Sequence, residues 1–323
     1  MTVTSGKKRD KIDRLAELAA VRDDERGVSL WQEAFRRLRR NPAAIVGAVI
    51  LVLFVLVAVV GPFLVPYGAT DSIGIREGVV KSGQGLIPGP SGDHWLGYDH
   101  QGRDVFSRMI VGARQTLLVG VVSTLIGLAV GALIGGVAGA SAGLGGRWGR
   151  WVDTTLMRFV DMLLALPSLL LAVSVAALLG ASLTTVMIAV GVVSVPVFAR
   201  LLRGSMISQS NSDYVLAATS LGVKRSRIAL THVVPNSLAP VIVQATLTLA
   251  TAIIEAAALS FLGLGNPDST IPEWGVMLAD AQPYLGIRPA LAIYPAVAII
   301  VTALGFTLLG EAMREALDPK LRK

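Results

Sequence analysis

Glu255 is the side chain in this sequence whose type and position best fit a chemical role. It lies toward the later end of the stretch 237–262, which is otherwise uncharged. A carboxylate in such apolar surroundings is costly to bury and therefore usually serves a function. Two roles are open for Glu255: it lines a pathway for a charged substrate, or it bonds to a neighbouring helix.

Arg158 and Asp161 form a second candidate group. They lie three residues apart near one end of another apolar stretch, and this spacing puts both on one face of a helix. We expect a structural ion pair between them rather than a proton relay. Pro167 follows shortly afterwards, and we expect it to kink the helix.

A third group combines residue types that bind metals: Asp93, His94, Asp99 and His100. Its spacing matches no recognised ligand pattern, so we predict no metal site. The sequence also contains no glycine-rich phosphate loop, no nucleophile elbow and no His-Glu-x-x-His motif. We therefore expect no catalytic residues in this chain and no ATP site of its own.

Composition places these residues in a membrane protein. The 323 residues are 53% hydrophobic and only 16% charged, whereas a typical soluble domain has about 25% charged residues. Cysteine is absent, which excludes disulfide bonds and thiolate chemistry.

Six apolar stretches are long enough to cross a bilayer, which takes about 20 residues each. The sequence therefore predicts an all-α integral membrane protein with six transmembrane helices. The predicted spans are 43–66, 116–140, 153–178, 184–202, 238–262 and 289–310. The other predicted parts are a polar tail with a surface helix (1–42), an external loop with an amphipathic helix (67–115), an inter-span loop (203–237) within a core of 116–311, and a short tail (312–323).

The distribution of positive charge predicts the orientation of these spans. An even number of spans puts both termini on one side, and most of the 29 lysines and arginines fall on that side. The positive-inside rule then places both termini in the cytoplasm. The net charge of +7 is explained by this topology, so we expect membrane lipid around the chain and no nucleic-acid partner.

The second span carries a stripe of small residues. Glycine recurs at every fourth position, which puts these residues on one helix face: Gly127, Gly131, Gly135, Gly139 and Gly143. Such a stripe lets another helix approach closely. Two interpretations stay open, namely packing inside this chain and contact with a second transmembrane subunit.

The external loop ends in a predicted amphipathic helix that begins near Gly102. Val105 and Phe106 lie on its apolar face, with Arg103 and Arg108 largely opposite, which is typical of a half-immersed or docked helix. We expect Asp99, or Gly102 itself, to cap it.

Residues 214–236 form a polar, basic segment between long uncharged stretches. The pattern predicts a short helix, a turn at Gly222, a second short helix, and a stop at Pro235-Asn236. An ordered element outside the bilayer suggests contact with a partner protein. The alternative is a DNA-binding helix-turn-helix, but the short linkers to the flanking spans leave little room to reach a duplex.

Taken together, these motifs resemble the C-type permease subunits of bacterial dipeptide and oligopeptide importers of the ATP-binding-cassette class. The resemblance covers almost everything after residue 30. The sequences that carry it are Arg37-Leu-Arg-Arg-Asn-Pro42, His94-Trp-Leu-Gly97, Gly102-Arg-Asp-Val-Phe-Ser-Arg108, Asp161-Met-Leu-Leu-Ala-Leu-Pro167, Leu259-Ser-Phe-Leu-Gly-Leu-Gly265, Trp274-Gly275 and Ala316-Leu-Asp-Pro-Lys-Leu-Arg322.

The resemblance implies that the polar segment is a loop that couples the permease to an ATPase. The residues that would contribute to coupling are Tyr214, Ala217, Ala218, Gly222, His232, Pro235 and Asn236. Leu216 stands where the family pattern has glutamate, which removes one candidate polar contact to the partner.

The resemblance also implies a type I importer permease fold with cytoplasmic coupling helices, in the bacterial cytoplasmic membrane. The implied partners are a homologous B-type permease, two ATPase subunits that hold ATP and magnesium, and an extracytoplasmic peptide-binding protein. The chain itself would be non-catalytic and would bind no cofactor. The alternatives are a related cargo such as a nickel chelate or glutathione, a stand-alone channel or secondary transporter, and a membrane-embedded enzyme.

Overall fold

The computed structural model describes residues 30–80, 87–144, 146–268 and 270–317, and these residues form an almost entirely helical protein. Within these ranges the only β-type pairing is an isolated bridge between Tyr98 and Asp104. The predicted tail 1–29 and the last six residues of the predicted tail 312–323 lie outside the described residues. So does the side chain of Trp31, which leaves the surface helix α1 (Leu30–Leu38) only partly described.

Five helices in the described ranges are long and apolar enough to cross a membrane. They are α2 (Pro42–Val60), α4 (Val105–Leu144), α7 (Leu183–Ser210), α10 (Val234–Leu259) and α12 (Ala290–Leu317). Two shorter helices, α5 (Gly146–Leu164) and α6 (Ser168–Leu179), meet at an angle of 93° and pass the same test of length and apolarity only as a pair. The bent pair counted as one span gives the six predicted from the sequence.

Pro167 lies at the bend between α5 and α6, as predicted. Its backbone is extended, with φ −57° and ψ 131°, and it immediately precedes the first residue of α6. Proline has no N–H to donate to the previous turn and its ring clashes with that turn, so α5 cannot continue through it. The break is much sharper than the kink that we expected.

The glycine stripe of α4 packs inside this chain, which resolves the two interpretations. A Cβ atom added to Gly127 would lie 2.6 Å from Ser194 Cβ, and one added to Gly131 would lie 2.6 Å from Phe198 Cβ. Gly135 and Gly139 meet α7 in the same way, at Ala199 and at Met206 and Arg203. The absence of side chains on α4 therefore sets its close approach to α7.

A second close approach joins the first and last spans. A Cβ atom on Gly47 of α2 would lie 2.8 Å from the carbonyl oxygen of Gly305 in α12. Around this contact, a core of buried side chains connects α2, α4, α10 and α12, with Phe54 and Trp274 tilted against each other at 5.4 Å between ring centroids. Trp274 begins the short helix α11 (Trp274–Ala281).

The external loop differs from its prediction in two respects. The carboxylate of Asp104, and not Asp99 or Gly102, accepts the Ser107 N–H at 2.7 Å in the first turn of α4. Arg103 and Arg108 are each 1% exposed, so the polar face predicted for this helix is turned into the protein. The Asp99 carboxylate accepts the Arg103 backbone N–H and also pairs with the Arg103 side chain at 2.6 Å. Asp99 is thus engaged within the loop, and it holds the Arg103 side chain inside the protein.

Two short helices connect α7 to α10, namely α8 (Asp213–Ser220) and α9 (Arg225–Ile228). The predicted stop at Pro235-Asn236 is wrong. A π-helical turn, Ala229–Val233, leads from α9 directly into α10, and Pro235 lies in the first turn of α10. The Val234 N–H bonds back to the Ala229 carbonyl, five residues earlier, and a proline in a first turn removes no hydrogen bond that the helix needs.

Candidate functional site

The segment between α7 and α10, residues 211–233, is held to the bundle by an apolar inner face. Val215, Ile228 and Val233 are buried there. They pack in one cluster with Phe198, Leu202, Met206 and Val241 from the ends of α7 and α10. We call residues 211–233 the inter-span segment. The inner face of the inter-span segment is therefore anchored on two long helices.

Three leucines are exposed on the outer face of the inter-span segment, among exposed polar and basic residues. Leu216 is 68% exposed, Leu221 is 83% exposed and Leu230 is 70% exposed. Large exposed apolar side chains of this kind are candidates for contact with a partner protein. The sequence reading missed Leu221 and Leu230. Leu221 lies beside the predicted turn at Gly222, and Leu230 lies just after a short helix. These positions were the signals in the sequence that could have identified them.

Gly222 adopts a conformation that other residues avoid. Its φ is +76°, in the left-handed region. The Gly222 N–H bonds to the Thr219 carbonyl at 3.0 Å and the Val223 N–H bonds to the Ala218 carbonyl at 3.1 Å, which closes α8 in a Schellman motif. A Cβ atom here would meet no atom within 4 Å, so glycine is required by the backbone conformation and not by space within this chain.

Three of the predicted coupling residues lie together. Asn236 Nδ2 lies 3.5 Å from the Tyr214 hydroxyl and donates to the His232 carbonyl at 2.9 Å. The rings of Tyr214 and His232 meet edge to face at 6.4 Å. These contacts join α8 to the start of α10, so the two arms of the inter-span segment are braced against each other.

The other predicted residues of this group separate into two faces. Ala217 and Pro235 are exposed, whereas Ala218 turns inward and packs on the apolar inner cluster. Ala217 is therefore free to meet a partner, whereas Ala218 contributes to the attachment of α8 to the bundle. Adjacent residues of an α-helix point about 100° apart, so Ala218 can face the inner cluster while Ala217 stays exposed.

A polar groove runs along the bundle from Glu255 toward the inter-span segment. Two adjoining cavities form it, of about 270 and 630 Å³, and they share Leu164, Val197 and Gln244. The polar residues that line the first cavity are Ser168, Ser194, Gln244, Thr248, Thr251 and Glu255. The polar residues that line the second are Arg200, Ser205, Ser208, Gln209 and Gln244.

The walls of the polar groove come from three parts of the fold. The junction of α5 and α6 supplies one wall, and α7 and α10 supply the others. The bend at Pro167 sets Ser168 and Leu166 in the wall opposite Glu255, and the Ser168 hydroxyl is a hydrogen-bond partner of that carboxylate. The structure thus places Glu255 on the groove and not in the packed interior.

Asp161 does not pair with Arg158, which corrects the sequence prediction. Its carboxylate accepts from Arg200 of α7 at 2.6 Å. A second ion pair lies alongside. Arg203 of α7 donates two hydrogen bonds to the Asp153 carboxylate of α5, at 2.5 and 2.8 Å. Helical spacing allowed the Arg158 contact, but the tertiary packing of α5 against α7 offered better-placed cations. The two ion pairs fix α5 to α7 beside the groove.

Charged residues are also buried at the opposite end of the bundle. Asp99 pairs with Arg103 and lies 3.5 Å from Arg108, and Arg103 lies 3.6 Å from Asp280. This cluster joins the external loop to α11. His94, once considered as a metal ligand, instead bonds to Asp104 at 2.8 Å, and no group of three potential ligands is placed for a metal within the described ranges.

Glu273 is a buried carboxylic group that the sequence reading passed over. It precedes α11, is 2% exposed, and accepts from the Ser260 hydroxyl at 2.8 Å. Burial raises the pKa of Glu273 to about 7, and the Ser260 hydrogen bond opposes the increase. The signal in the sequence was weak, because Glu273 stands in a loop beside Trp274 and not within an apolar span.

Two family models match the chain. The model described as "Binding-protein-dependent transport system inner membrane component" matches residues 131–323. A second, described as the N-terminal TM domain of oligopeptide transport permease C, matches residues 29–75. The first covers more than half of the chain and includes both the polar groove and the inter-span segment.

Curated relatives match over nearly their full length. The dipeptide transport system permease protein DppC of Alkalihalophilus pseudofirmus is 41% identical over 308 residues, which is 93% of each chain. The glutathione transport system permease protein GsiD of Shigella flexneri is 41% identical over 292 residues, covering 90% of this chain and 91% of GsiD.

A solved structure shares the fold. It is an inward-facing form of the MetNI methionine ABC transporter, matched with a TM-score of 0.53 at 18% identity, over 65% of this chain and 96% of that one. The match identifies the architecture of the helical core as that of an ABC importer permease.

Proposed function

The chain belongs to the family of binding-protein-dependent transport system inner membrane components, and from this premise we propose that it is the C-type permease of an ATP-driven importer for dipeptides or oligopeptides. The name of the DppC relative supports peptides as cargo. In this proposal the chain forms half of the translocation path, and a homologous B-type permease forms the other half.

The observation that carries the proposal is the polar groove. Its walls carry hydroxyl, amide and carboxylate groups among leucine, valine and proline side chains, and such polar groups are unusual on membrane helices, because lipid offers no partner to them. The groove is open along one side, where Leu164, Leu166 and Val197 are partly exposed. A second permease that closed this side would turn the groove into an enclosed polar path.

The inter-span segment supplies the second part of the mechanism. We place it against an ATPase subunit, with Leu216, Leu221 and Ala217 seated in a groove of that partner. ATP-driven closure of the ATPase pair would move the anchored segment as a rigid body, and with it α7 and α10, which form two walls of the polar groove. Alternating access then follows from reorientation of the walls.

The proposal includes partners and an orientation. Two ATPase subunits hold ATP and magnesium, an extracytoplasmic binding protein delivers the peptide, and this chain is non-catalytic. Both termini and the inter-span segment face the cytoplasm, supported by the excess of lysine and arginine on that side. The exposed basic residues Lys224, Arg225 and Arg227 in and beside α9 agree with this orientation.

Glutathione is the second candidate cargo, because the GsiD relative is as similar as DppC. Uptake by cells separates the two. In a strain of the source bacterium that lacks this gene, loss of labelled dialanine and trialanine uptake, restored by the gene on a plasmid, supports the peptide importer. Selective loss of labelled glutathione uptake supports the alternative, and unchanged uptake of all three compounds contradicts both.

A further inference from the structure

Glu255 has no counter-cation in the described part of the chain. Its known partner is the neutral hydroxyl of Ser168. The other residues that line its cavity are apolar, or carry hydroxyl or amide groups, and none is a lysine, arginine or histidine. Glu255 is therefore the single charge in its half of the polar groove.

The cation nearest along the polar groove is already paired. Arg200 lines the adjoining cavity, and its guanidinium donates to Asp161 at 2.6 Å. The two halves of the groove thus differ in charge, with an unpaired carboxylate at one end and a balanced ion pair at the other.

The surroundings of Glu255 favour a cationic ligand that binds reversibly. Thr251 lies one turn before Glu255 on the same face of α10 and is exposed, and Ser168 faces both across the groove. A resident cation would be expected to come from a neighbouring helix, yet the facing helices α6 and α7 present only serine, leucine, valine and proline side chains here. Hydroxyl groups around a carboxylate can complete the hydrogen bonding of an ammonium group, which carries three donors.

We propose that Glu255 is a subsite for the protonated side-chain amine of a lysine residue in the passing peptide. The inference rests on the proposed function, since it names the group of a peptide that this half of the polar groove receives. The Glu255 carboxylate forms a charge-assisted hydrogen bond to the ammonium, and Ser168 and Thr251 accept from its remaining N–H groups. The same carboxylate repels acidic side chains, so the subsite favours cationic over anionic peptides.

The test compares two peptides that differ in one charged side chain. The complete transporter is placed in proteoliposomes with saturating binding protein, and initial uptake rates are measured for Ala-Lys-Ala and Ala-Glu-Ala. The readout is the ratio of the two rates. This ratio does not depend on the amount of assembled complex, and the contribution of the binding protein is common to all variants.

We expect Glu255→Gln to shift this ratio about tenfold toward the acidic peptide, which corresponds to the loss of one charge-assisted contact. Glu311→Gln is the matched control, because Glu311 is an exposed carboxylate at the far end of α12, away from the polar groove, and its ratio should equal that of the wild type. An unchanged ratio in Glu255→Gln overturns the subsite. An equal loss for both peptides also overturns it, because that result assigns Glu255 to a contact with the second permease.

A second variant keeps the inference testable if Glu255→Gln does not assemble. Thr251→Lys places an ammonium group one helical turn from Glu255. This group should pair with the Glu255 carboxylate and neutralise its charge. The ratio should again shift toward Ala-Glu-Ala, and a wild-type ratio would contradict the proposal. Failure of the wild-type complex to take up either peptide counts instead against the proposed function, so the two failures are distinguishable.

Discussion

At the scale of single residues, the structure gives charged side chains ion-pair partners that spacing alone did not reveal. Asp161 pairs across helices with Arg200, although the sequence offered Arg158 within its own helix. Arg103 and Arg108 are buried beside Asp99, although an amphipathic pattern put them on the outer face. A sequence shows which residues share a helix face, but the nearest opposite charge depends on tertiary packing. Glu255 could be singled out, because a lone carboxylate in an apolar stretch is visible without a structure.

Glu273 gives a prediction on pH dependence. Its pKa of about 7 in the folded protein exceeds the ordinary value of 4.5, so the folded state keeps a proton that the unfolded chain has released. Stability should therefore fall as pH rises from about 4.5 to about 7, by about 3 kcal/mol, and level off above that range. Glu273→Gln should remove this pH-dependent part of the free energy of unfolding, and it should preserve the contact with Ser260.

The measurement is thermal unfolding of the purified protein in detergent between pH 4.5 and 8, for wild type and Glu273→Gln. The variant should show the flatter profile, and its advantage over wild type should be largest above pH 7. Parallel profiles would show that Glu273 does not titrate in this range.

At the scale of helices and turns, hydropathy predicted the number of long apolar helices, with the bent pair counted as one, and the bend at Pro167 followed from proline chemistry. The continuation of α9 into α10 did not follow, because Pro235-Asn236 looks like a terminator until the π-helical turn before it is seen. Nor could the partner of the glycine stripe be identified. A helix face made of small residues predicts that another helix approaches closely. That the approaching helix is α7 is known only from the packing.

The glycine stripe yields a prediction with an internal control. In Gly131→Ala the new methyl group would lie 2.6 Å from both Phe198 Cβ and the Val195 carbonyl oxygen, whereas in Gly136→Ala the nearest atom is 3.8 Å away. Alanine improves helix propensity equally at both positions. We expect Gly131→Ala to lower stability by about 1–3 kcal/mol and Gly136→Ala to maintain or raise it.

Thermal unfolding in detergent compares the two variants. Similar stability for both would mean that α4 and α7 do not approach as closely as the structure has them.

The turn at Gly222 gives a prediction on coupling. A β-branched residue at φ +76° is strained by about 1–2 kcal/mol, so Gly222→Val should tilt α8 away from α9 while the anchored inner face holds. We expect the assembled complex to hydrolyse ATP with peptide uptake reduced severalfold. Ser220→Val, at an exposed position two residues earlier, should transport normally. The number of ATP molecules hydrolysed per peptide is the quantity to measure, and an unchanged ratio would remove Gly222 from the coupling route.

At the scale of the whole molecule, the fold is a helical frame that connects two surfaces. The polar groove lies between α5–α6, α7 and α10, and the inter-span segment is packed on the ends of the last two helices. Motion applied to the segment therefore reaches the walls of the groove through continuous helices. The family could be predicted from the order of motifs, but this direct connection between the two surfaces required the structure.

The exposed leucines predict where the ATPase binds. Leu221→Asp places a charge on the most exposed of them, 83% accessible, and we expect it to reduce co-purification of the ATPase at least tenfold while the permease pair stays intact. Asn211→Asp adds the same charge at the exposed start of the segment and should retain the ATPase. Retention of the ATPase by Leu221→Asp would place the docking surface elsewhere.

The central claim is that this chain passes peptides through a path powered by a separate ATPase. The most direct measurement is uptake of labelled trialanine into proteoliposomes, with the two permeases, the ATPase pair and the binding protein supplied or omitted in turn. The account predicts uptake only when all components and ATP with magnesium are present, and none when ATP is replaced by a non-hydrolysable analogue. Uptake by this chain without the ATPase, driven by an ion gradient, would contradict it.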